Sequence, residues 1–85
     1  MRYYFDIRDG DELAPDEEGI EFRSIERAEE EAIMSLAEFA WEAVREHLKG
    51  RGSARRIAVE VRADNGPVLQ ARFSFEIGKA RSARP

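Results

Sequence analysis

SIERAEEEAIMSLAEFAWEAVREHLK, Ser24 to Lys49, is the stretch whose reading decides the fold. At 100° per residue one arc collects Ile25, Ala28, Ala32, Leu36, Phe39, Ala40 and Ala43, with Ile33 and Val44 on its shoulder. That arc is the face expected to rest on a sheet. A second apolar line runs through Met34, Ala37, Trp41, Val44 and Leu48 at 3-4-3-4 spacing. The polar remainder is narrow: Arg27, Glu31, Ser35, Glu38, Glu42, Arg45 and Lys49. A helix lying on a single sheet needs an apolar stripe of about 100°, and this one spans well over half the circumference. Two readings follow. Either a curled sheet or the Asp11–Gly19 connection covers the second line within one subunit, or that line packs against a second copy of the chain in a two-fold dimer. Two heptads are too few for a free-standing coiled coil, but they suffice for a patch on a folded domain.

The helix ends are marked. Ser24 is an N-cap residue, although Arg27 stands where a reciprocal capping box would need Glu or Gln. Glu26, Glu29, Glu30 and Glu31 sit near the positive end of the helix, Arg45 and Lys49 near the negative end, and Gly50 follows as a C′ residue.

Outward from the helix the period changes to two. Arg2 to Arg8 alternates, with Tyr3, Phe5 and Ile7 on one face. Asp9-Gly10 marks a turn, Asp11 to Gly19 is an irregular acidic connection, and Ile20 to Phe22 forms a short second strand. After the basic loop 50–55, Arg56 to Arg62 alternates with Ile57, Val59 and Val61 inward, and Val68 to Ile77 with Leu69, Ala71, Phe73, Phe75 and Ile77 inward. A three-residue turn Asp64-Asn65-Gly66, with Gly66 in the left-handed position, keeps the faces matched: Val61 opposite Leu69, Val59 opposite Ala71, Ile57 opposite Phe73. The reading is a two-layer α+β domain, ββαββ, over residues 1–78. Its four antiparallel strands lie in the order 2-1-3-4 under one long helix. A disordered basic tail is expected over 79–85.

Eighty-five residues allow one core. The absence of cysteine excludes a disulfide framework and fits a cytoplasmic setting. No signal peptide or membrane span is expected. The net charge of −4 conceals an asymmetry, −10 over residues 1–46 and +6 over 47–85, which is either a solvated surface or a field that steers a charged partner.

No catalytic constellation emerges. His47, the sole histidine, has no nucleophile near it in sequence and falls at the core edge of the helix. Asp6, Asp9, Asp11, Glu12, Asp16, Glu17 and Glu18 do not have the spacing of a calcium-binding loop, and no metal or other cofactor is assigned. Lys49, Arg51, Arg55 and Arg56 would attract an anion if loop and tail meet in space. No aromatic residues interleave with them, so any nucleic-acid contact would be weak and non-specific.

Tyr3-Tyr4-Phe5-Asp6-Ile7-Arg8-Asp9-Gly10, then Asp16-Glu17-Glu18-Gly19-Ile20-Glu21 and an Ala/Glu-rich helix, resemble a family of short bacterial proteins of unknown function. Its members are mostly alphaproteobacterial, and the resemblance covers roughly residues 2–77. More remotely the order of elements is similar to the HicB-type antitoxin domain. That resemblance implies a binder whose acidic loop meets a small basic toxin. The leading expectation is a non-enzymatic homodimer in contact through Met34, Ala37, Trp41, Val44 and Leu48.

Overall fold

The computed structural model describes residues 1–52 and 54–80. Residues 81–85, most of the expected tail, lie outside the described residues, as does Ser53 of the basic loop. In chain order the elements are β1 (Arg2–Asp9), β2 (Glu12–Ala14), β3 (Ile20–Glu21), α1 (Ile25–Leu48), β4 (Ala54–Ala63) and β5 (Gly66–Glu76).

The helix begins and ends where its sequence signals it. The Ser24 hydroxyl accepts the N–H of Arg27 at 3.3 Å, satisfying one of the free donors of the first turn. At the other end Gly50 adopts φ +83. There the Arg51 N–H reaches the Glu46 carbonyl at 3.0 Å and the Gly50 N–H reaches that of His47 at 2.9 Å, which is a Schellman termination.

The sheet corrects the expectation of four strands in the order 2-1-3-4. It has five strands, in the order β2-β1-β4-β5, with β3 also paired to β1. The difference originates at Gly10. With φ +62 it takes the first central position of a two-residue turn, so the chain folds back at once and Asp9 pairs with Glu12, Arg8 with Leu13 and Ile7 with Ala14. A segment expected to be irregular is therefore a strand. Further on β3 returns to the same edge, pairing Tyr3 with Ile20 and Arg2 with Glu21. Between these two short strands the chain bows out, and Asp16 fills the gap: its Oδ2 accepts the Phe5 N–H at 3.1 Å.

The β4–β5 hairpin has the expected pairing of Val61 with Leu69, Val59 with Ala71 and Ile57 with Phe73. Its tip differs. Ala63 pairs with Gly66 around a two-residue Asp64-Asn65 turn, and the odd residue is absorbed as a register shift after Val61. Gly66 carries the positive φ, at +123.

Tyr3, Phe5, Val59, Val61 and Ala63 of the sheet pack against Ala28 and Ala32 of the helix. Phe22 closes the end of this core, edge-on to Phe5. The helix rests chiefly on β4 and β5, and its buried residues are alanines, which let the backbones approach. Leu36 is half-buried, whereas Ile25 and Phe39, expected in the sheet-facing arc, are 44 % and 39 % exposed. By angle Ile25 stands with buried Ala43 and Phe39 between buried Ala28 and Ala32, so their exposure does not come from the face they occupy; Ile25 is the first residue of the helix. No helix among the described residues is long and apolar enough to cross a membrane.

Candidate functional site

The sheet occupies one side of α1, and the second apolar line occupies the other. Met34 is 67 % exposed, Trp41 57 % and Leu48 74 %. Ala37 between them is exposed and Val44 half-buried. Ile33, assigned by its angle to the shoulder of the sheet-facing arc, is also exposed and extends the patch. The Asp11–Gly19 connection does not cover these residues, because it is held on the far edge of β1 by the contacts described above. Arg45 borders the patch: its guanidinium stands 5.5 Å from the Trp41 ring centre while it pairs with Glu42 at 2.7 Å. The indole thus has a cation over its ring, and more than half of it stays open to water. Contiguous exposed apolar side chains on a small domain mark contact sites, and an aromatic residue with an apolar surround is the usual energetic centre of one.

The opposite face of the sheet is polar, and among the described residues its buried side-chain polar atoms all have partners. Asp6 is its buried charge. Arg62 donates from Nε to Asp6 Oδ2 at 2.9 Å, donates to the Asp16 carbonyl at 2.8 Å and lies 4.5 Å from the Tyr4 ring centre. Asp16 Oδ1 accepts the N–H groups of Glu18 and Gly19. Burial pushes the Asp16 carboxyl up, but the N–H groups of Phe5, Glu18 and Gly19, with Arg62, outweigh it and hold the group below the ordinary carboxylate range. Beside this cluster Arg8 grips Glu60 at 2.7 Å. That hydrogen bond lowers Glu60, and Gln70 adds a second donor. Asp6 and Asp16 of the signature runs therefore serve as acceptors that fasten the edge of the sheet. Among the described residues no three metal-ligating side chains converge.

The structure divides the four residues of the anion-attracting set. Arg51 and Lys49 both turn to Glu46, at 3.0 and 3.9 Å, and Arg55 pairs with Asp9 at 2.8 Å. Arg56 points to the other face of the sheet, where it shares a shallow depression with Arg8, Arg72 and Ser74. His47 is half-buried. Its Nδ1 lies 2.8 Å from the Gly52 carbonyl and its ring packs edge-on against Phe75, which makes it a clamp between the helix end and β5.

The family model described as "Domain of unknown function (DUF6894)" matches residues 2–74, from the first strand into the last. Comparison with curated proteins and with solved structures gives no match.

Proposed function

The chain belongs to the DUF6894 family of domains of unknown function, and from that premise we propose that it is a non-enzymatic, cytoplasmic, homodimeric interaction module. The contact is the outward line of α1: Met34, Ala37, Trp41, Val44 and Leu48. One observation carries the reading. The three largest side chains of that line are all more than half exposed in a single subunit, although each costs free energy in water, roughly 25 cal/mol for every Å2 of apolar surface. A small domain with a narrow core gains most from such added burial. The side-chain chemistry favours no catalytic alternative, since the carboxylates of Asp6, Asp16 and Glu60 are engaged by Arg62, Arg8 and backbone N–H groups.

The test is association. Sedimentation velocity of the wild-type chain across micromolar concentrations should show a dimer, and Trp41→Glu should be monomeric with an unchanged far-ultraviolet circular dichroism spectrum. A wild-type chain that stays monomeric at several hundred micromolar overturns the reading.

A further inference from the structure

Strand β5 is the longest in the sheet and lies at its edge. One side is paired to β4, and no strand among the described residues pairs with the other. Soluble proteins blunt such edges with short strands, lysine, proline or bulges. In β5 the single proline, Pro67, and the register shift both lie at the hairpin tip. From Leu69 to Glu76 the edge is open backbone with no lysine. Along this stretch the inner row is poorly covered: Phe73 and Phe75 are half-buried and Ile77 just beyond is 44 % exposed.

We propose that this edge pairs with β5 of a second copy, antiparallel, about a two-fold axis at Ser74. The proposal rests on the reading that the chain self-associates, and it says where the second copy sits. The segment Arg72-Phe73-Ser74-Phe75-Glu76 is complementary to itself about its centre. Arg72 meets the partner's Glu76, Phe73 meets the partner's Phe75, and each pair occurs twice. Opposite-charge and aromatic cross-strand pairs are the stabilising kinds. An axis at Arg72 would set that charge against its own copy, and an axis at Phe73 would leave Arg72 opposite serine. An axis through any residue keeps inner faces together, so Ala71 falls opposite the partner's Ile77 and the exposed isoleucine gains cover.

The position of the helix agrees with this arrangement. Strands stand about 4.8 Å apart, and α1 lies over β4 and β5. A helix centred on that pair lies roughly 5 Å from the proposed axis, so two helices related by it are about 10 Å apart, the spacing of packed helices. The flank they present to each other is fixed by His47, whose ring touches Phe75. Val44 and then Leu48 follow His47 around the helix, away from the sheet. One surface thus joins the open edge to two residues of the apolar line.

The chain has no cysteine, so an engineered thiol reports cleanly. Ser74 is exposed, and directly opposed residues bring Cβ atoms to about 4.5–5.5 Å, from which a small adjustment allows a disulfide. Full-length Ser74→Cys should therefore form a covalent dimer under mild oxidation, at concentrations where the wild type is dimeric. Arg72→Glu should weaken association about tenfold, from two repulsive pairs, and adding Glu76→Arg should restore it. If the wild type dimerises and Trp41→Glu disrupts it, yet Ser74→Cys stays unlinked and the charge variants associate normally, the edge proposal fails and the helix reading stands. A monomeric wild type removes both.

Discussion

Asp6 Oδ1 accepts the backbone N–H of Asp16 at 2.8 Å, and Asp16 Oδ2 returns the contact by accepting the N–H of Phe5, the neighbour of Asp6, at 3.1 Å. This reciprocal clasp holds the bowed segment between β2 and β3 against β1, and Arg62 closes it from β4. Asp6→Ala removes an acceptor from a site that is only 8 % exposed and leaves the Asp16 N–H without a partner. The expected loss is about 1–3 kcal/mol, the usual penalty for one orphaned donor, read as a lower urea midpoint. Asp6→Asn, which keeps one acceptor oxygen, should lose less. Equal midpoints for Asp6→Ala and wild type would rule out the clasp.

Gly19 closes the same loop with φ +73. A Cβ there would stand 2.8 Å from Arg2 Cγ and 2.9 Å from the Tyr3 carbonyl oxygen. The side chain could yield, but the strand backbone cannot. Gly10 has a similar φ, +62, with nothing near the position of its Cβ. Gly10→Ala should therefore cost only the left-handed penalty of about 1–2 kcal/mol, while Gly19→Ala should cost distinctly more and loosen the pairing of β3. Hydrogen exchange at Tyr3 and Phe22 measures that loosening, and comparable protection in both variants would contradict it.

Asp16 and Glu60 both titrate lower in the folded chain than in the unfolded one. The unfolded state therefore binds protons first as acid is added, and the stability these groups contribute is lost as pH falls. It is fully present above about pH 5 and declines from about pH 4, the ordinary carboxylate value, downward through the folded values. Thermal melts between pH 6 and pH 2.5 should show this decline. Asp16→Asn should melt lower at neutral pH and show a shallower acid slope. A slope identical to wild type would assign the acid sensitivity elsewhere.

The elements with a strict period were legible in the sequence. Alternation in Ile57–Val61 and Leu69–Phe73 fixes which residues face each other, since a slip by one would turn an entire row outward. The width of the apolar arc likewise announces that Met34, Trp41 and Leu48 exceed what one sheet covers. Glu12–Ala14 carried no such signal. Its three residues are all exposed, and only the turn at Gly10 makes them a strand. The Asp6–Asp16–Arg62 cluster joins residues ten and fifty-six positions apart, which no local pattern encodes. Charge counting also gathered Arg51, Arg55 and Arg56 into one basic end, but it could not foresee that Glu46 and Asp9 would engage the first two.

Trp41 is the only tryptophan, so its emission reports the proposed contact without labelling. In the single subunit the indole is mostly in water, with Arg45 beside it. The monomer should emit at the long wavelength of a hydrated indole and be readily quenched by acrylamide. Association through α1 removes water from that ring. Raising the concentration through the dimerisation range should shift the emission to shorter wavelength and reduce quenching, with a midpoint matching sedimentation. Leu48→Glu should move both midpoints to higher concentration together, because Leu48 lies on the same line and touches no part of the core. If the chain dimerises while Trp41 keeps its hydrated emission and full quenching, the partner sits elsewhere and the outward face of the helix is not the contact.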